Sequence, residues 1–262
     1  MGEAKLKQYN RQQFLREHPT CCYCGAVATT TDHCPPRALF QNRHWPEGYE
    51  FPCCQPCNAA GRQSEQVAVA ILRPSLFQET EDEAWEKTVR SLKINRPEVL
   101  DEWTEASRNQ MRRMFREKFG DGLGDYLRNQ GYGIVELGPI SQAAIEEVLF
   151  RLGQALFYKH VGRRCAGGKI WIVRMDMLNA EGSLDSITKI TPLLAQSVRG
   201  RIDLSDQFLY RYNVSPSEGI LCAVVKIREQ FGAVVTVMEQ PHANTFAAMP
   251  NSQKMVMRDC PP

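Results

Sequence analysis

CCYCG (21–25), TTTDHCPPRALF (29–40) and FPCCQPCNAAG (51–61) hold seven of the ten cysteines of this 262-residue chain. Within them, Cys21-x-x-Cys24 and Cys54-x-x-Cys57 are two matched knuckles. Each Cys-x-x-Cys lets two thiolates converge on one ion, and Gly25 allows the tight turn after the first pair. Two such pairs make a closed, tetrahedral four-sulfur site of the type that Zn2+ takes. The stretch between them is rich in Pro and Gly and poor in aliphatics, so it lacks a core of its own and needs a metal to fold. Cys22 and Cys53 are spare thiols beside the ligands. Cys34, Cys165, Cys222 and Cys260 stand apart from the set, with Cys165 and Cys222 read as core or surface thiols.

Outward from this module, residues 3–18 predict a short helix closed by His18-Pro19, with Leu6, Tyr9, Phe14 and Leu15 on one stripe. A second helix is expected from about Asn58 to Leu72, ended by Arg73-Pro74. Residues 75–130 predict further helices. Trp85, Val89 and Leu92 mark one stripe. Trp103, Met111, Met114 and Phe115 mark the next, which Pro97 opens as a first-turn residue. GDGLGDYLRNQGYG (120–133) reads as a turn-rich connector. ISQAAIEEVLFRLGQALFYKHVG (140–162) predicts a long amphipathic helix capped by Ser141. Strand-like runs follow at 169–178, 207–214, 219–227 and 232–239, the last two forming an antiparallel hairpin. The tail MVMRDCPP (255–262) reads as unstructured.

The fold class is therefore α+β: a small zinc-stapled ββα finger, a helical middle, and a C-terminal antiparallel sheet with one long helix. The corresponding segments are 1–74, 75–135 and 136–262. Apolar residues make up 43% and charged residues 24% of the chain, which is ordinary for a globular protein. No apolar run is long enough for a membrane span, and the N-terminus lacks the apolar segment of a secretory signal. A cytoplasmic location is expected, where thiols stay reduced and bind metal rather than pair. Net charge is only +2, so charge alone does not identify a nucleic-acid binder.

Asp32-His33 lies between the knuckles and Asn58 directly follows the last cysteine. Zinc would pin the segment carrying Asp32-His33 against the helix carrying Asn58. A carboxylate and an amide oxygen suit a hard divalent cation such as Mg2+ or Mn2+. A neutral imidazole suits proton abstraction from water. Together these groups suit phosphodiester hydrolysis.

CYCG…TTTDHCPPRALF…PCCQPCN resembles the HNH endonuclease superfamily with its ββα-metal finger. It is most similar to a bacterial branch marked by Cys-x-x-Cys-Gly, Asp/Glu-His-x-Pro-Pro and Pro-x-Cys-x-x-Cys-Asn. The strong match covers about residues 20–66; a weaker one, through ALFYKHVGRR (155–164) and YRYN (210–213), extends to about 240. The resemblance implies that His33 activates water and that Asp32 and Asn58 bind the catalytic cation. In that branch a Glu tends to follow on the helix, and Glu65 fits. Asn58 and Glu65 are two turns apart, roughly 10 Å along the axis, so Glu65 takes a supporting role. Many members carry an Asn shortly before the second knuckle, where this chain has Tyr49 and Glu50. His44 in NRHWPEG (42–48) is a candidate to supply an imidazole instead, with Trp45 beside it available for base stacking.

Arg37, Arg43 and Arg62 are candidate phosphate contacts. Lys159, His160, Arg163 and Arg164 form a second basic cluster at a helix end, where cations also favour the helix dipole. DNA is the expected partner, with RNA second. A homodimer or protein partner through the C-terminal segment is a further expectation. By family analogy the role is defence or mobile-element biology. Two competing functions remain open: a non-catalytic zinc module that binds nucleic acid or protein, and an RNA-cutting toxin.

Overall fold

The structure, a computed structural model, describes residues 3–74, 83–129, 133–176, 194–196, 203–228, 231–249 and 255–262. Parts of the predicted elements, residues 75–82, 130–132 and 177–178, lie outside the described residues. Helix α1 (Glu3–Glu17) ends where His18-Pro19 predicts. Strands β1 (Thr30–His33) and β2 (Glu50–Cys53) then pair antiparallel, with Thr30 opposite Cys53 and His33 opposite Glu50. Helix α2 (Gln55–Leu72) follows at once. It begins at Gln55 rather than Asn58 because Cys54 is its N-cap: the Cys54 sulfur accepts from the Cys57 amide at 3.5 Å. Pro56 sits in the first turn, where its missing N–H costs nothing.

Helices α3 (Glu83–Asn95) and α4 (Pro97–Asp101) pack Leu92 and Val99 onto Val67 and Ala70 of α2. The single helix expected from Pro97 through Phe119 is broken. Strand β3 (Thr104–Glu105) intervenes and pairs with β4 (Val135–Glu136), and helix α5 (Arg108–Asn129) follows. The break frees Glu102 and Trp103 for long-range contacts. Glu102 accepts from the backbone amides of Ile140 and Ser141, and Trp103 donates to the Ser141 hydroxyl at 2.7 Å. The predicted connector at 120–133 is also corrected, because α5 continues to Asn129. Gly120, at φ 73°, takes the kink that its glycines were read as spreading over a loop.

Helix α6 (Pro139–Val161) is N-capped by Gly138 without a side-chain bond, so Ser141 is not the cap; Glu102 meets the orphan amides instead. Nor is α6 amphipathic. Residues 148–153 are all buried, because α2 covers one side and the sheet the other. Gly153 makes the second contact close: a Cβ there would meet Val235 Cγ1 at 2.7 Å.

The sheet has six antiparallel strands in the order β10-β5-β9-β8-β7-β6. They are β5 (Lys169–Asp176), β6 (Leu194–Gln196), β7 (Phe208–Ser215), β8 (Ile220–Ile227), β9 (Phe231–Met238) and β10 (Val256–Asp259). Helix α7 (His242–Ala247) packs beside β9, with Phe246 edge-on to Trp171. The tail expected to be unstructured is strand β10, which pairs with β5 and forms one edge of the sheet. Arg164 fixes the chain beyond it by donating to the Pro261 and Pro262 carbonyls. The architecture is α+β. One buried cluster runs from Cys21 and Phe51 through Leu149 and Leu156 to Val225 and Val235.

Candidate functional site

The sulfurs of Cys21, Cys24, Cys54 and Cys57 lie within 4.8 Å of one another. Cys24 and Cys54 are 3.6 Å apart. Zn–S bonds of about 2.3 Å in a tetrahedron put sulfurs ~3.8 Å apart, so the four residues fit zinc. Cys21 is held as a thiolate-prone group, lowered to about 4 first by a hydrogen bond from Cys53. The spare thiols stay outside. Cys53 donates to the Cys54 carbonyl, and burial pushes the Cys22 thiol well up. These four cysteines are a candidate zinc site, built from one tight turn, closed by the Gly25 amide donating to the Cys21 carbonyl, and one helix cap.

Beside it, Asp32, His33, Asn58 and Glu65 line one open cleft of about 430 Å³, together with Arg37, Arg43 and Arg62. Strand β1 carries the first pair and α2 carries Asn58, Arg62 and Glu65. His33 Nε2 lies 2.8 Å from Glu50 Oε1, its direct cross-strand neighbour. The hydrogen bond from His33 lowers the Glu50 carboxyl below its usual range. The ionised carboxylate fixes the proton on Nε2 and leaves Nδ1 as the basic nitrogen. Trp45 packs edge-on against the imidazole at 5.2 Å. Arg37 stacks on the Trp45 ring at 3.4 Å, and its buried Nε has no hydrogen-bond partner among the described residues. An unpaired buried guanidinium nitrogen beside an open cleft suits an anionic ligand.

Asp32 is buried and already engaged. Its Oδ2 accepts from Tyr23 at 2.5 Å and from Arg151 of α6 at 2.7 Å. Arg151 also donates to the Cys57 carbonyl at 2.9 Å and stacks over Tyr23. Burial opposes its charge, but the Asp32 carboxylate beside it outweighs burial and holds the guanidinium charged. Gly61 makes room for it, since a Cβ there would meet Arg151 Cζ at 2.7 Å. The Asn58 amide points its NH2 at Thr30 Oγ1 and the Thr31 carbonyl, each at 3.4 Å, leaving Oδ1 uncommitted. Asp32 Oδ1 and Asn58 Oδ1 carry no hydrogen bond among the described residues and are hard oxygen donors on cleft-lining residues. They fit a divalent cation in kind, although Arg151 already balances the Asp32 charge.

Glu65 lies 3.9 Å from Arg151. Its carboxyl is raised to about 7, first by burial and then by Asp32. A carboxyl raised on folding stabilises the fold least once it must ionise. Its contribution is full below the ordinary carboxyl range near 4.5 and is lost as pH rises to about 7. Glu65→Gln removes that loss. Its stability advantage over the wild type should grow by about 2 kcal/mol between pH ~5.5 and ~8. Urea unfolding at the two pH values reads this directly, and a pH-independent difference would contradict it.

Four residues singled out from the sequence lie elsewhere or are otherwise engaged. His44 lines a separate groove with Trp45 and is not in the cleft, because the turn at Gln41–Arg43 points it away from β1. Lys159 donates to the Gly48 carbonyl, and His160 contacts the Tyr210 hydroxyl. Arg163 pairs with Glu239. The second basic cluster therefore braces the fold. Glu50 and Arg151 were not assigned roles from the sequence. Arg151 left one sign: it is the only charge in the apolar run VLFRLGQALF (148–157). Among the described residues no helix is long and apolar enough to cross a membrane. No family model, curated protein or solved structure matches the chain.

Proposed function

We propose that the chain is a metal-dependent endonuclease of the HNH type that hydrolyses phosphodiester bonds of DNA. The observation that carries this is His33, hydrogen-bonded to Glu50, lining the same cleft as Asp32 and Asn58 beside the four-cysteine centre. His33 Nδ1 accepts a proton from water as the water oxygen bonds to phosphorus and the bond to the leaving oxygen breaks; solvent protonates that oxygen. Glu50 holds the imidazole tautomer and balances the imidazolium that forms. Arg37, Arg43 and Arg62 hold the phosphate from the rim of the cleft. Mg2+ or Mn2+, held by Asp32 and Asn58, would supply charge stabilisation at the phosphate and the leaving oxygen.

The test is nicking of supercoiled plasmid by zinc-loaded protein with added Mg2+ or Mn2+. His33→Ala should cut about 10²–10⁴-fold more slowly than wild type. Glu50→Gln, which keeps the contact but loses the charge, should cut on the order of tenfold more slowly. Zinc content should be unchanged in both. Equal cutting by wild type and His33→Ala would remove His33 as the base.

One observation favours a second function, a non-catalytic zinc module that binds nucleic acid: Arg151 neutralises the carboxylate a cation would need. That function predicts no cleavage of DNA or RNA by wild type with either cation, alongside salt-sensitive binding. Cleavage of RNA alone would instead mark an RNA-cutting toxin.

A further inference from the structure

Next to the cleft lies a larger groove of about 850 Å³. Phe14 of α1, Trp45, Phe51 and Tyr158 of α6 line it, with Lys159 at one wall. It adjoins the cleft through two residues. Glu50 lines the groove while pairing with His33, and Trp45 lines it while Arg37 of the cleft covers its ring.

We propose that this groove takes unpaired nucleobases flanking the scissile phosphate, so that the substrate is single-stranded DNA at the cut. The inference rests on the cleft being a phosphodiester site. Charge divides the two cavities. The cleft presents Arg37, Arg43 and Arg62, which suit phosphate. The groove presents Glu47 and Glu50 against a single ammonium, Lys159, among aromatic and imidazole rings, so it draws phosphate less than the cleft and suits an uncharged planar group. Bases offer such faces without regard to sequence, but only when unpaired, because duplex bases cover one another. Lys159, donating to the Gly48 carbonyl, places one ammonium at the wall for the strand leaving the groove. Helix α1, which carries no part of the proposed chemistry, thereby gains a role through Phe14.

The experiment is fluorescence anisotropy with zinc-loaded protein, no added Mg2+ or Mn2+, and a labelled phosphorothioate 8-mer. A strand of the same length and backbone but without bases is the comparison. Wild type should bind the base-bearing strand about tenfold more tightly or better, as expected for stacking on aromatic side chains. The Phe14→Leu/Tyr158→Leu double variant keeps both side chains apolar and removes two ring faces, together with the Tyr158 hydroxyl that bonds His18. It should abolish the preference and leave binding of the abasic strand and zinc content unchanged. If the double variant loses zinc, Phe14→Leu alone, on α1 and away from the ligands, should still cut the preference severalfold. Equal binding of the two strands by wild type, or a preference that survives both variants, overturns the proposal. Cleavage of an ordinary phosphodiester abasic strand in Mn2+ tests the chemistry separately. Cleavage without base preference would overturn the groove's role and leave the nuclease standing. Base preference without cleavage would support the groove and remove the nuclease.

Discussion

Cys54→Ser is expected to take zinc from about one ion per chain to near none and to unfold the ββα unit locally. Cys54 does two jobs: its sulfur belongs to the four-sulfur cluster, and it caps the first turn of α2. A structural zinc site contributes about 10–16 kcal/mol of apparent folding free energy at neutral pH, which exceeds the usual net stability of a whole domain. The cap adds about 1 kcal/mol. In their sheet β1 and β2 are two four-residue strands paired with each other alone, so beyond the zinc they depend on the Asp32–Arg151 pair and on the burial of Phe51. The loss should stay local, because β8 and β9 pair with each other and bury Val225, Val235 and Val237 in the core with α6. Metal analysis by mass spectrometry reads the first effect. Amide exchange reads the second: protection should vanish at β1, β2 and the first turns of α2, and persist at β8 and β9. Cys53→Ala is the control and should keep its zinc. A Cys54→Ser protein that still carries one zinc per chain would show that the cluster is not the metal site.

What could be read from the sequence was what depends on neighbours along the chain. The knuckle spacing and the alternation of 219–227 and 232–239 are local, and the four sulfurs and the β8–β9 hairpin follow from them. Asp32, His33, Asn58 and Glu65 share a cleft because β1 and α2 are both tied to the cysteines. What could not be read depends on distant partners. Arg151 meets Asp32 across 119 residues, and Glu102 caps α6 from 38 residues away. A buried charge in an apolar helix announces that a partner exists without naming it. Strand β10 was hidden for a related reason. Its side chains are exposed, so it shows no apolar pattern; the edge of β5 recruits it, helped by Arg258 pairing with Glu147 and Lys169 with Asp259. The role of Glu50 came from register: it faces His33 only because Thr30 pairs with Cys53.

Arg151→Met is expected to cost about 3–5 kcal/mol, because it strands the Asp32 carboxylate in the interior. Both side chains are only 7% exposed, so solvent cannot replace the lost partner. The same change removes the donor to the Cys57 carbonyl and the stack on Tyr23, and Met fills the volume without charge. Asp32→Asn alone should cost less, since Asn still accepts from Tyr23 and Arg151 keeps Glu65 nearby. The double variant Asp32→Asn/Arg151→Met should recover much of the loss, giving a coupling energy of about 1–3 kcal/mol in a double-mutant cycle. Urea unfolding of zinc-loaded protein measures all four corners. An Arg151→Met protein within ~0.5 kcal/mol of wild type would mean that the pair is not closed in solution. The double variant then separates stability from chemistry. It restores the fold but offers a neutral amide where the proposed cation needs a carboxylate. Its cleavage should stay at least about tenfold below wild type despite normal zinc content. If the double variant cuts as fast as wild type, Asp32 is a structural partner of Arg151 and the cation, if one acts, is held elsewhere.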